Sequence, residues 1–211
     1  MIDQIIWLGH GSFLVKAEQY IYINPWKVGS GYPTADVILV GHHHYEHFSE
    51  PDIDRLRGPD TLILTNALVQ EQLMEATILR PWHSQTVGRI SIKALPAYSP
   101  QSLQHPLSDG GLGFVISVNY YDIYYAGDTQ RIGEMAGLAP DIAILPIDGN
   151  GTLTPGEAAE VVRVMRPRWV IPCNWGKPLG GASAVDVAQF REEVGDTAEV
   201  IVPEEPAAGE G

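Results

Sequence analysis

The chain has one cysteine, Cys173, in 211 residues, so it has no intrachain disulfide and no cysteine-rich zinc site. Positive charge is scarce. Thirteen Lys and Arg stand against 26 Asp and Glu, a formal charge of −13, which disfavours nucleic acid and anionic membrane as partners. An anionic small substrate stays open, because a bound cation can dominate the electrostatics of its own site. No uninterrupted apolar run approaches the ~20 residues needed to span a bilayer. The start Met1-Ile2-Asp3-Gln4 lacks the basic-then-apolar pattern of a secretory signal, so a cytoplasmic location is expected. A glycine-rich nucleotide loop and a short-period repeat are also missing, and the basic residues are too scattered for a phosphate clamp.

The composition is that of an ordinary globular chain, 45% hydrophobic and 18% charged, with 22 Gly and 16 Pro marking many turns. A single domain over residues 1–202 is expected, followed by an acidic flexible tail over 203–211. Short β-rich runs come first: Ile5 to Leu8, Phe13 to Lys16, Tyr20 to Ile23 and the apolar stretch 36–40. Ser49-Glu50-Pro51-Asp52 reads as a helix start, residues 61–65 as a strand and 67–75 as a helix. Strands follow at 85–89, 90–95, 113–118, 123–125 and 142–145. Thr154-Pro155-Gly156-Glu157 forms a capping box for a helix through Met165; then come strand 169–171, helix 184–194 and strand 200–202. Stacked sheets with helices on their outer faces satisfy this order.

Where the strand at 36–40 gives way to a loop, four of six residues are histidine: His42, His43, His44, Tyr45, Glu46, His47. Imidazoles beside a carboxylate suit zinc, manganese or iron. Side chains two apart in an extended segment point the same way, so His42 and His44 converge on one ion while His43 points aside. Glu46 and His47, past the bend at Tyr45, are placed for a second ion. Cys173 sits in an apolar strand context and reads as an inert buried thiol.

The pattern H-x-H-x-[acid]-H at 42–47 resembles the H-x-H-x-D-H signature of the metallo-β-lactamase superfamily. Further segments match in the same order: Trp7-Leu8-Gly9-His10-Gly11-Ser12, Asn24-Pro25-Trp26, Pro96-Ala97-Tyr98 with His105-Pro106, Ala126-Gly127-Asp128-Thr129 and Ile171-Pro172-Cys173-Asn174-Trp175-Gly176. Together they resemble the superfamily's small metal-dependent hydrolase branch, which includes proteins similar to ascorbate-6-phosphate lactonase. The resemblance implies an α+β fold, a four-layer αββα sandwich with a metal centre at one edge of the sheets. It implies hydrolysis by a metal-activated water whose pKa drops from about 16 to about 7.

On this resemblance His42, His44, His47, Glu46 and Asp128 are the metal ligands, for one or two ions of zinc or manganese. Glu46 and Asp128 are the catalytic carboxylates. His10, His105 and Asn174 are expected to touch a small-molecule substrate, an ester, lactone or phosphoester. His10 and His105 each have a plainer alternative, as a structural and a loop histidine respectively; Trp26 and Trp175 either wall the pocket or pack under the loops. Four positions depart from the family pattern. Glu46 replaces an aspartate and moves its carboxylate by ~1.5 Å; Asn174 stands for a late histidine ligand; Asn24 replaces an aspartate that would hold a ligand imidazole in its tautomer; Ser99 lies where relatives place a further histidine. These changes support a second reading, a binding or scaffold protein that keeps the fold without turnover. A metal-storage loop is a third.

Overall fold

A computed structural model describes residues 1–176 and 181–204. The expected tail therefore lies mostly outside the described residues; Pro203 and Glu204 follow the last strand without regular structure.

Six strands form the first sheet in chain order: β1 (Ile5–Gly9), β2 (Ser12–Lys16), β3 (Tyr20–Ile23), β4 (Ala35–Val40), β5 (Arg57–Thr65) and β6 (Thr77–Ile78). The first three are an antiparallel meander; β3 to β6 run parallel. Alternation assigns each face. Phe13, Val15, Ile21, Ile23, Val37 and Leu39 face one way into the main core. Leu14, Tyr22, Ile38 and Val40 face the other, beneath Ile53 and Leu56 of helix α1 (Glu50–Leu56), Val69 of α2 (Ala67–Gln70) and Leu73. A sheet buried on both sides explains why 36–40 is apolar almost throughout.

The second sheet has seven strands: β7 (Ser84–Val87), β8 (Ile90–Pro96), β9 (Leu112–Val118), β10 (Tyr121–Tyr125), β11 (Ile142–Pro146), β12 (Trp169–Cys173) and β13 (Glu199–Val200). It begins as an antiparallel meander, and β10 to β13 continue in parallel. Parallel neighbours need crossovers: the 126–141 segment joins β10 to β11, α3 (Pro155–Met165) joins β11 to β12 and α4 (Ala184–Val194) joins β12 to β13. Each helix starts with a capping box, Thr154 with Glu157 and Ser183 with Asp186. The side chains of both sheets and of α3 and α4 join one core, giving the four layers that the sequence resemblance implies.

The differences from the sequence reading are local. The helix expected over 67–75 stops at Gln70, and the chain continues through turns in which Leu73 and Ala76 stay buried. β5 starts at Arg57 rather than at 61: Thr61 Oγ1 accepts from the Gly58 N–H and donates to the Ala35 carbonyl, which holds the Gly58-Pro59 segment beside β4. β6 is two exposed residues and carries no alternation to read. Among the described residues, no helix is long and apolar enough to cross a membrane.

The carboxyl ends of β3, β4, β10, β11 and β12 lead into the segments that carry Asn24, the histidine loop, Asp128, Asp148 and Asn174. Ligands of open α/β sheets bind at such strand ends.

Candidate metal centre

The histidine loop folds back on itself directly after β4. The N–H groups of His47 and Phe48 both donate to the His44 carbonyl at 2.9 Å, and Ser49 caps α1 by accepting from the Asp52 N–H. This tight turn brings His47 back against His42, with ring centroids 4.3 Å apart. Gly11 makes room for it. A Cβ there would lie 2.5 Å from His47 Cε1 and 3.0 Å from the Tyr125 hydroxyl, so Gly11→Ala is expected to cost about 1–3 kcal/mol by overpacking. That is a melting-temperature fall of several degrees, and an unchanged melting curve would contradict the packing described.

Asp128 is aimed by its neighbours. Gly127 adopts φ +71°, and a Cβ on it would meet the Leu112 carbonyl oxygen at 2.7 Å. Thr129 donates to the Tyr98 carbonyl at 2.9 Å and accepts from the Tyr98 N–H at 3.2 Å. Three imidazoles then surround one carboxylate oxygen. Asp128 Oδ2 lies 3.6 Å from His42 Nε2, 3.3 Å from His47 Nε2 and 3.4 Å from His105 Nε2. Ligand atoms on a tetrahedron with metal bonds of about 2.0–2.2 Å stand about 3.3–3.6 Å apart. The other carboxylate oxygen, Oδ1, accepts from Asn174 Nδ2 at 2.8 Å.

Among the described residues, His42 Nε2 and His47 Nε2 are buried without a hydrogen-bond partner; their distances to Asp128 do not come with hydrogen-bonding directions. Buried polar atoms are rarely left so. A cation among these atoms resolves the anomaly at His42, so the residues present fit a divalent metal.

Three groups of ligand atoms, each within 4.8 Å of one another, can be drawn: His42, His44 and His105; His42, His47 and Asp128; His10, Glu46 and His47. His42 and His44 do converge, in a loop that already bends at His43 and His44. His105, expected at the substrate, has a ligand atom within reach of both and also lines the cleft described below. The 97–111 connection between β8 and β9 brings it there. Ser99 donates its N–H to the His105 carbonyl at 2.7 Å, while its hydroxyl and His105 Nδ1 both reach the Gly151 carbonyl, the imidazole at 3.1 Å. Ser99 thus supplies no ligand itself but folds the loop that delivers one.

His10 sits in the left-handed region (φ 48°) at the β1–β2 turn, its carbonyl accepting from Trp7 Nε1 and from the Asn174 N–H. Glu46 is half-buried beside it. Asn174, expected at the substrate, is 1% exposed and instead braces Asp128. Trp175 stacks on Trp7 at 4.8 Å and packs under the site, whereas Trp26 packs edge-on to Tyr45 beside the loop. Cys173 is buried, and burial pushes its thiol up, as expected for an inert cysteine.

Burial alone would raise the Asp128 carboxyl, but His47, His105 and His42 outweigh it and hold the group well below the usual carboxylate range. Burial, with His47 adding to it, pushes His42 well down and His10 down to about 4; burial and His105 lower His44. His105 goes the other way. Burial opposes its protonation, but Asp128, the Gly151 carbonyl and Asp148 prevail and raise it. Loading a cation on His105 Nε2 must displace a proton, so affinity is expected to rise with pH through this raised value. Chelator-competition titrations across the neutral range check this; a flat profile would contradict it.

Asp148, just after β11, was not singled out by the sequence: in Asp148-Gly149-Asn150-Gly151 it looks like a turn residue. Burial pushes its carboxyl up to about 6, against the pull of a Thr152 hydrogen bond and with help from Asp128. It lines a cleft of about 330 Å³ together with His10, His44, Glu46, His105 and Asp128, a volume suited to a small molecule. A larger hollow of about 430 Å³ between Gln130 and α3 lies apart from these groups.

Residues 4–174 match the family model of the beta-lactamase superfamily domain. A UPF0173 metal-dependent hydrolase of Thermococcus kodakarensis is 30% identical, over 94% of this chain and 95% of that protein. Another, of Pyrobaculum calidifontis, is 31% identical over 82% and 84%. Among solved structures, a candidate metal-dependent hydrolase of Parabacteroides distasonis superposes with a TM-score of 0.84 at 25% identity, covering 95% of this chain and 92% of that one. A metallo hydrolase of Ignicoccus hospitalis gives 0.78 at 22%, covering 96% and 95%. With the match running through the histidine loop, Asp128 and the end of β12, the chain belongs to the metallo-β-lactamase superfamily.

Proposed function

We propose that the chain is a metal-dependent hydrolase of a small ester, lactone or phosphoester. The observation that carries this reading is the convergence of His42, His44 and His105, with His44, His105 and Asp128 lining a cleft that also holds Asp148. A divalent ion bound there, zinc or manganese, supplies an acidified water and a Lewis-acidic contact for the scissile group.

His42, His44 and His105 hold that ion, with Asp128 as the anionic partner. His10, neutral at physiological pH, offers hydrogen bonds to the substrate. Glu46 orients water at the cleft. Burial pushes the Asp148 carboxyl up to about 6, close to the operating pH that favours proton exchange, so it takes a proton from water and returns it to the leaving group. Three carboxylates, Glu46, Asp128 and Asp148, line the cleft, which favours a neutral ester or lactone over a doubly charged phosphomonoester.

A panel of chromogenic esters, lactones and phosphoesters, assayed with chelator-stripped and reloaded protein, tests the reading. Metal-dependent turnover is expected, and its absence across all three classes would sink it. Asp148→Asn is expected to lower kcat about 10²–10⁴-fold and to remove the acidic limb of the pH–rate profile near pH 6. An unchanged limb would take Asp148 out of the mechanism.

Asn24, Glu46 and Asn174 favour a second reading, a binding protein on the same fold. It predicts an inert parent and a Glu46→Asp, Asn174→His variant that turns over.

A further inference from the structure

Two imidazoles that face the same oxygen of Asp128 are held in opposite tautomers. His105 Nδ1 lies 3.1 Å from the Gly151 carbonyl. A carbonyl only accepts, so Nδ1 carries the proton, and in the neutral ring Nε2 turns a lone pair toward Asp128. This is the arrangement of a metal-ligating histidine. His47 Nδ1 lies 2.9 Å from Asn24 Nδ2. An amide nitrogen only donates, so His47 Nδ1 must accept, and the ring proton is on Nε2, where a metal would bind.

The orientation of the Asn24 amide is fixed independently. The Gly41 N–H donates to Asn24 Oδ1 at 2.8 Å. Turning the amide over would set its NH₂ against that backbone donor. The remaining Nδ2 proton goes to the Tyr125 hydroxyl at 2.8 Å, which itself donates to the Gly11 carbonyl at 3.0 Å. Every partner of the amide is therefore assigned, and Asn24 is fully buried. An aspartate here would accept from both Gly41 N–H and a protonated His47 Nδ1, leaving Nε2 free to ligate. Asparagine satisfies the same backbone donor but inverts the demand on the imidazole.

We propose that Asn24 locks His47 as its Nε2–H tautomer and so keeps it out of metal ligation, leaving His42, His44 and His105 to hold a single ion. The Oδ1 side of Asp128 is occupied in keeping with this, because Asn174 donates to it, and His47 Nε2 lies 3.3 Å from Oδ2. The inference rests on the metal-dependent reading of the site, but it concerns which residues bind and is read without any substrate.

Zinc or manganese is titrated into chelator-stripped wild type, His47→Ala, His105→Ala and Asn24→Asp, with folding checked by thermal melts. Asn24 has φ 45°, a conformation that aspartate also tolerates, so Asn24→Asp should fold. One equivalent is expected in wild type and in His47→Ala, and none at the same concentrations in His105→Ala. Asn24→Asp should bind a second equivalent roughly 10–100-fold more tightly than wild type does. Nitrogen-15 NMR of the loaded wild type should show His47 with Nδ1 bare and Nε2 protonated, and Asn24→Asp should reverse this. Two tight equivalents in wild type, loss of the ion in His47→Ala with retention in His105→Ala, or a protonated Nδ1 in loaded wild type would each overturn the proposal. One equivalent with no hydrolysis of any substrate would leave it standing and defeat the hydrolase reading instead.

Discussion

Replacing His105 with alanine is expected to remove the bound ion at micromolar metal and to lower hydrolysis by more than 100-fold. The reason is arithmetic on ligands. His42 and His44 come from one short loop and cannot enclose an ion without a third imidazole from outside it, and among the described residues His105 is the one that shares their group. Disturbing only the support of a ligand costs about 10–100-fold in affinity; deleting the ligand must cost more. Ser99→Ala is the matched control. It removes one hydrogen bond to the Gly151 carbonyl but keeps the Ser99 N–H that holds the His105 backbone, so its loss should stay within that 10–100-fold. Metal analysis after dialysis separates the two variants. Equal retention of metal by His105→Ala and wild type would show that the loop delivers His105 for another purpose.

The second large effect is at Asp128. Asp128→Asn keeps shape and removes the one charge that three imidazoles face, so metal affinity is expected to fall by more than 100-fold. It also destabilises the metal-free protein, with a pH signature whose sign follows from the two shifts. Asp128 is held well below its ordinary range, so its stabilisation is present above the unfolded value of about 3.9 and is lost as pH falls through the folded value. His105 is raised, so its contribution is complete below the unfolded value of about 6.5 and is lost as pH rises through the folded one. Both act together between about pH 4 and 6.5. There the substitution breaks a buried, charged pair, a loss of up to roughly 3–5 kcal/mol, and the penalty should shrink at higher pH. Denaturant melts of metal-free protein at two pH values check this. A penalty that grows with pH would contradict it.

Much of this architecture is legible in the sequence because its physics is local. The β-rich runs at 13–16 and 20–23, apolar continuity in 36–40, and the capping box at Thr154 place elements within a residue or two of where they lie. The histidine loop and Asp128 carry recognisable motifs. What escapes is decided by distant contacts. His105 reaches the metal group only because Ser99 and Gly151, far apart in sequence, meet in space. Asp148 owes its raised carboxyl to burial beside Asp128, and burial is not written in a turn motif. Asn24 reads from sequence as the loss of a charge. Its further effect, choosing the proton position on His47, depends on the direction of one Gly41 N–H.

The proposed chemistry stands on a cation held by His42, His44 and His105 next to Asp128. Anomalous X-ray diffraction at the metal edge, from crystals of zinc- or manganese-loaded protein, tests it most directly. One strong peak in contact with those three imidazoles is expected. A peak confined to His10, Glu46 and His47, or no peak at this sheet edge, would contradict it.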